Sequence, residues 1–259
     1  MNKLMEIIEA KKSEVEELHR AYDNGIPADN TPLRPSFRDA LSGGGFLKLI
    51  AEVKRSSPSM GNINSAADPV ETARVYSENG ASAVSVLTDR GYFGGSWEFL
   101  RNIAAISGLP LLCKDFIIDT LQIDLARAYG ASAVLLITEA LADNELAGLY
   151  RHTQECGLDA LVEAHFPENI ERAAALGAPV IGINNRDLAT FELDPDYALK
   201  VMGMIPDNRI RLALSGVETP ADALKFARAG FDGILVGTSL MRAKNPADAV
   251  RALAGIERK

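Results

Sequence analysis

Eight short apolar runs are spaced along this chain, and helix-start signals stand between them. The runs lie near 48–53, 83–88, 110–113, 133–138, 159–163, 179–183, 210–214 and 233–236. Their near-continuous apolar character is that of parallel strands covered by helices. Two approaches to these runs nearly repeat, Gly80-Ala81-Ser82-Ala83-Val84-Ser85-Val86 and Gly130-Ala131-Ser132-Ala133-Val134-Leu135-Leu136, and looser echoes begin at Gly177 and Gly230. In each, a helix ends at a glycine, the chain turns, and a β-branched run begins. Asp68-Pro69, Asp194-Pro195, Thr219-Pro220 and Asn245-Pro246 each place a capping residue before a proline at the first helical position, and are read as helix starts. Eightfold alternation within 259 residues predicts one closed (β/α)₈ barrel domain over 1–259 rather than an open doubly wound sheet. An open sheet would normally carry a Gly-rich turn after its first strand, whereas here the first run leads into Lys54-Arg55-Ser56-Ser57-Pro58-Ser59.

Residues 1–45 precede the first strand. The pattern predicts a helix over 2–20, an irregular stretch from Thr31 to Phe37 and a second short helix within Ser36–Leu41. The first helix is charged and amphipathic, without the apolar core of a signal peptide, and no apolar run is long enough to cross a bilayer. By itself this extension fits either a plug at the barrel bottom or a cover on the opposite face.

A net charge of −8 argues against nucleic acid as the main partner, but local lysines and backbone amides still suit a small anionic substrate. The two cysteines, Cys113 and Cys156, form no metal-spaced pair and suggest no disulfide scaffold, which points to a reducing, cytoplasmic setting. His19 and His152 fall on expected helices and are read as solvated. His165 follows the fifth strand, where it is placed to line the mouth, but no other His, Cys or Asp stands at metal spacing to it and no metal site is expected.

The charged residues at the strand ends carry the functional signal. Lys54, Lys114, Glu163 and Asn184 each end an apolar run, and a closed parallel barrel makes such strand ends converge around one pocket. Side chains alternate along a strand, so Glu52 and Lys54 share a face and can pair. If Lys114 points into the barrel mouth, Cys113 faces the helices as a packing residue. Glu163 is placed to face both lysines, and a carboxylate among cations is a candidate base; Asn184 can hold a hydroxyl. Arg186 follows on the same loop, although a surface pair with Asp187 is an alternative use for it. Ser215-Gly216 after the seventh strand and Gly237-Thr238 after the eighth are small-residue loops where barrels commonly bind phosphate, and Ser57 can add a third contact.

These segments resemble the indole-3-glycerol phosphate synthase family over nearly the whole chain. The strongest pieces are Ile50–Ser59, Val86-Leu87-Thr88-Asp89 with Tyr92–Ser96, Lys114–Asp119, Val162–His165, Ile181–Leu188 and Val236–Met241. The resemblance implies closure of an indole ring in tryptophan biosynthesis, with loss of carbon dioxide and water from 1-(2-carboxyphenylamino)-1-deoxyribulose 5-phosphate and no cofactor. It implies that Lys114 is the general acid on the substrate carbonyl, that Lys54 holds the anthranilate carboxylate, and that Glu52 pairs with Lys54. Glu163 matches the base in dehydration, and Asn184 the amide that orients a hydroxyl. Ser57, Ser215, Gly216, Gly237 and Thr238 match phosphate or substrate contacts. Residues 1–45 match the family's extra helical segment over the barrel mouth. A monomer or weak homodimer is expected.

One position departs. Strand seven reads Leu212-Ala213-Leu214-Ser215-Gly216, where the family usually has glutamate immediately before Ser-Gly. Leu214 leaves two lysines with one counter-charge fewer and a more apolar pocket. A natural tolerated change, an impaired or engineered form of that barrel, and a variant of drifted function all fit. Another phosphate-binding barrel isomerase and a barrel that only binds its ligand are the competing functions.

Overall fold

A computed structural model describes residues 2–28 and 35–258. Eight parallel strands close into a barrel: β1 (Lys48–Val53), β2 (Ala83–Leu87), β3 (Leu111–Lys114), β4 (Ala133–Ile137), β5 (Asp159–Ala164), β6 (Val180–Asn184), β7 (Ile210–Leu214) and β8 (Gly233–Val236). Neighbours in sequence are neighbours in the barrel, and β8 closes onto β1 with Gly233 opposite Lys48. The expected strands are all present, with ends shifted by at most a residue. Gly80, Gly130, Gly177 and Gly230 all have positive φ, so the glycine that ends each of those helices takes the left-handed turn a larger residue resists.

Period-two alternation divides the apolar side chains into two clusters. Val84, Cys113, Val134, Val162, Ile183 and Ala213 face the surrounding helices. Ile50, Ala83, Leu112, Leu135, Leu161, Leu212, Leu214 and Leu235 fill the barrel interior. Cys113 is therefore a packing residue, fully buried, while Lys114 beside it turns inward.

The extension divides between the two faces of the barrel. Helix α1 (Lys3–Ala21), capped by Asn2, lies on the side of the strand C-termini. Its Lys3 N–H donates to Ala189 O beyond β6, and its Lys11 pairs with Asp89 beyond β2 and Asp115 beyond β3. Helix α2 (Phe37–Leu41) closes the opposite end: Ser36 Oγ and the Arg38 N–H donate to Asp159 at the start of β5, and Phe37 and Leu41 are fully buried in the interior cluster. The cover reading of residues 1–45 thus holds for α1, while α2 is a plug. The expected irregular stretch falls mainly at 31–34, outside the described residues.

One helix start differs from expectation, and the first loop has a fold of its own. The helix after Asp194-Pro195 begins only at Tyr197, because Asp194 bonds the Asp196 N–H and Lys200 instead of capping at proline. The first loop folds into a small antiparallel hairpin, with Ser56–Ser57 opposite Gly61–Asn62.

Candidate active site

The strand C-termini surround a cavity of about 200 Å³. Of the strand-end and loop residues singled out from the sequence, all but His165 line it: Glu52, Lys54, Ser57, Lys114, Glu163 and Asn184, then Arg186, Leu214, Ser215, Gly216, Gly237 and Thr238.

Two lysine–carboxylate pairs form its polar wall. Lys54 Nζ stands 2.8 Å from Glu52 Oε1, and Ser85 Oγ donates to Glu52 Oε2 at 3.5 Å. Burial works to raise the Glu52 carboxyl, but the ammonium groups of Lys54 and Lys114 outweigh it and hold it below the ordinary carboxylate range. A Cβ at Gly237 would lie 2.5 Å from Glu52 Oε1, so only glycine there lets the β8 loop close over this carboxylate. The second pair joins Lys114 Nζ to Glu163 Oε2 at 3.1 Å. Glu163 Oε1 accepts from Asn184 Nδ2 at 2.8 Å, and Asn184 Oδ1 accepts the Arg186 N–H at 2.9 Å. Four consecutive groups are thereby fixed in order, and the Glu163 carboxylate has one oxygen committed to an amide and one to an ammonium. Glu163 does not engage both lysines as its place at the strand end suggests: it contacts Lys114, while Lys54 takes Glu52. With each carboxylate engaged by an ammonium, this donor set suits anions rather than a cation.

The rest of the wall is small or apolar. Ser57 is buried, and its hydroxyl has no hydrogen-bonding partner among the described residues. Ser215 and Gly216 have consecutive left-handed φ values of 66° and 81°. Ser239 Oγ donates to Val217 O at 3.0 Å, tying the loops after β7 and β8 together. Leu135, Ile137, Leu214 and Leu235 form the apolar floor, and Phe93 and Phe116 stand tilted at 6.0 Å beside it. Leu214 crowds over Gly182, where a Cβ would approach its Cδ1 to 2.7 Å.

Arg186 makes no surface pair with Asp187 among the described residues. Its guanidinium donates to Phe191 O at 2.7 Å, and burial pulls it below its ordinary value. His165 does not line the cavity: its Nδ1 lies 2.7 Å from Asn184 O and its ring stacks on Tyr197. His152 is not solvated either; it is half-buried, with Nε2 2.8 Å from Asp124 Oδ1.

Sequence reasoning missed three supporting groups. Lys11 is almost fully buried under α1, although Ile7, Ile8 and Val15 at helical spacing mark its face as the packed one. Asp115, next to Lys114, accepts from Thr88 Oγ1 at 2.6 Å. Glu139 accepts the His165 N–H at 2.6 Å, and burial raises its carboxyl.

The indole-3-glycerol phosphate synthase family model matches residues 4–253. The chain is 45% identical to the indole-3-glycerol phosphate synthase of Exiguobacterium sibiricum over 99% of its own length and 98% of that protein's. It is 43% identical to that of Micrococcus luteus, covering 97% of each chain. This chain belongs to the indole-3-glycerol phosphate synthase family. Its members are decarboxylating lyases of tryptophan biosynthesis that act on a phosphorylated small molecule. Among solved structures, a 3-hexulose-6-phosphate synthase superposes with a TM-score of 0.65 at 18% identity, covering 81% of this chain and 99% of the other. A thiamine phosphate pyrophosphorylase from Pyrococcus furiosus gives 0.63 at 18%, covering 85% and 96%. At that identity the likeness is one of barrel fold alone. No described helix is long and apolar enough to cross a membrane.

Proposed function

We propose that this cavity closes the indole ring of 1-(2-carboxyphenylamino)-1-deoxyribulose 5-phosphate, releasing carbon dioxide and water. The observation that carries the reading is the meeting of the Lys54–Glu52 and Lys114–Glu163 pairs at one partly apolar cavity. Ring closure requires an aromatic carbon to attack a carbonyl, whose oxygen gains charge and needs a proton donor. Lys114 is assigned to that proton. Lys54 holds the anthranilate carboxylate, with Glu52 fixing its ammonium. Glu163 takes the carbon-bound proton as the hydroxyl leaves in water, and Asn184 orients that hydroxyl and the carboxylate. The loops at Ser215-Gly216 and Gly237-Thr238, with Ser57, hold the phosphate and neighbouring polar atoms. Anchoring the two ends of the substrate folds it toward the reacting conformer, a large share of the rate in such reactions. Helix α1 serves as a cover that keeps water from the site.

Leu214 favours a second reading, a barrel that binds this ligand but turns it over slowly. Incubation with the substrate separates the two: growth of indole fluorescence supports synthesis, and thermal stabilisation without fluorescence supports binding alone. In the same assay Glu163→Gln, nearly isosteric, should lower turnover by about 10²–10⁴, the usual contribution of a positioned acid or base. The free thiols and the absence of a long apolar helix among described residues are compatible with cytoplasmic work as a monomer or weak homodimer, which sedimentation tests directly.

A further inference from the structure

A cluster unused by ring closure lies on the outside of the barrel. The helix after β3 (Thr120–Ala128) and the helix before β5 (Asp143–Glu155) are neighbours there. Asp124 projects from the first, His152 from the second, and Cys156 caps the second at its C-terminus. Cys156 Sγ lies 3.4 Å from Asp124 Oδ1 and 3.6 Å from His152 Nε2, and those two atoms are 2.8 Å apart. All three residues are partly exposed.

We propose that Asp124, His152 and Cys156 form a binding site for a zinc-class divalent cation, bridging these two helices. A His–Asp hydrogen bond explains one contact; it does not require a thiol nearly equidistant from both partners. Tetrahedral zinc, with bonds of about 2.3 Å to sulfur and about 2.0–2.1 Å to nitrogen or oxygen, sets sulfur roughly 3.5 Å from each neighbouring donor, and nitrogen roughly 3.3 Å from oxygen. Both sulfur edges already have that length, and the third needs to open by only about half an ångström. His152 and Cys156 stand four residues apart, on one helix face, the spacing that sequence reading passed over. His152 Nδ1 faces Glu155 Oε2 at 3.8 Å, the outer carboxylate that commonly orients a ligating imidazole. The thiolate and carboxylate neutralise the dication, and exposure leaves the fourth position to water. Thiolate and imidazole donors favour zinc over magnesium or calcium. Binding exchanges the Cys156 Sγ proton for the metal, and that proton passes to solvent. Arg127, which bonds the Cys156 carbonyl, already joins the same helices, so the cation reinforces an existing contact. Cys156 sits at the strand N-terminal face, where barrel features act on stability rather than turnover.

The test uses the untagged chain, stripped with chelator and kept reduced by a phosphine. Titration with Co²⁺ should give a saturable near-ultraviolet thiolate charge-transfer band and visible bands of tetrahedral intensity at one equivalent. Zn²⁺ should abolish both and raise the thermal midpoint. Cys156→Ser should lose the charge-transfer band, Asp124→Asn should weaken binding about tenfold or more, and ring-closing turnover should stay unchanged in both. Cys113 is fully buried and supplies no alternative thiol. An octahedral spectrum in the wild-type chain, absence of a thiolate band, or the same band in Cys156→Ser would each overturn the proposal. The wild-type spectrum decides even if a variant does not fold.

Discussion

Lys11 Nζ lies 2.7 Å from Asp115 Oδ1, and Asp115 is the chain neighbour of Lys114. The same ammonium lies 2.7 Å from Asp89 Oδ2 and 2.8 Å from Glu14 Oε2. One buried cation therefore joins α1 to the loops after β2 and β3, and the second of these begins at Asp115, directly after the lysine assigned as general acid. Burial opposes the charge on Lys11, but Asp115 and Asp89 outweigh it and raise the ammonium above its ordinary value. For a raised lysine, the stabilising contribution is complete below the unfolded value of about 10.4 and is lost only as pH rises through the folded one. The clamp is thus charged at neutral pH.

Lys11→Met leaves two buried carboxylates without their partner and should cost about 3–5 kcal/mol in denaturant unfolding. It should also lower kcat/KM, because α1 and the Lys114 loop lose their common anchor, and Lys11→Arg should recover part of both. Unchanged unfolding and kinetics in Lys11→Met would show that the ion cluster anchors nothing.

Glu52 gives a pH test. Its carboxyl is held below the ordinary range, so its contribution to stability is present above the unfolded value of about 4.3 and is lost as pH falls through the folded value. The stability difference between the natural chain and Glu52→Gln should stay level from neutral pH to about 5 and shrink below about 4.3. Urea unfolding across that range measures it. A difference that grows on acidification would mean that burial, not the lysines, dominates at Glu52.

Ser57 separates binding from folding. Its buried hydroxyl has no hydrogen-bond partner among the described residues, so Ser57→Ala removes no hydrogen bond made there. Thermal stability should hold or rise slightly, while KM rises about 2–10-fold, the worth of one ordinary hydrogen bond to substrate. A drop in stability with KM unmoved would assign the hydroxyl to the fold instead.

What the sequence revealed follows from what periodicity can encode. Strand ends, inward and outward faces, and helix-ending glycines depend on local alternation, and Lys54, Lys114, Glu163 and Asn184 could be assigned to one mouth on that basis. The pairing of Lys54 with Glu52 was local and legible; the choice of Lys114 as the partner of Glu163 depends on barrel closure. Lys11 was missed because a lysine in a charged helix reads as solvated, and only the tertiary contact brings Asp89 and Asp115 to it. The division of residues 1–45 between the two faces was hidden for the same reason: α1 and α2 are both amphipathic, and nothing local says which end of the barrel each meets.

Leu214 is the sharpest remaining handle on turnover. It is buried at the end of β7, opposite Asn184 in register, and lines the cavity beside both ion pairs. A carboxylate there would stand in a pocket holding two ammonium groups, able to accept a proton or fix a lysine. Leu214→Glu should therefore raise kcat/KM about tenfold or more, within the usual range for an added acid–base group, while lowering stability through burial of a charge. Leu214→Gln keeps the shape without the charge and should not reproduce the gain. Indole fluorescence under steady-state conditions reads both variants. Equal rates in Leu214→Glu and the natural chain would remove this position from the chemistry and leave the two existing carboxylates sufficient.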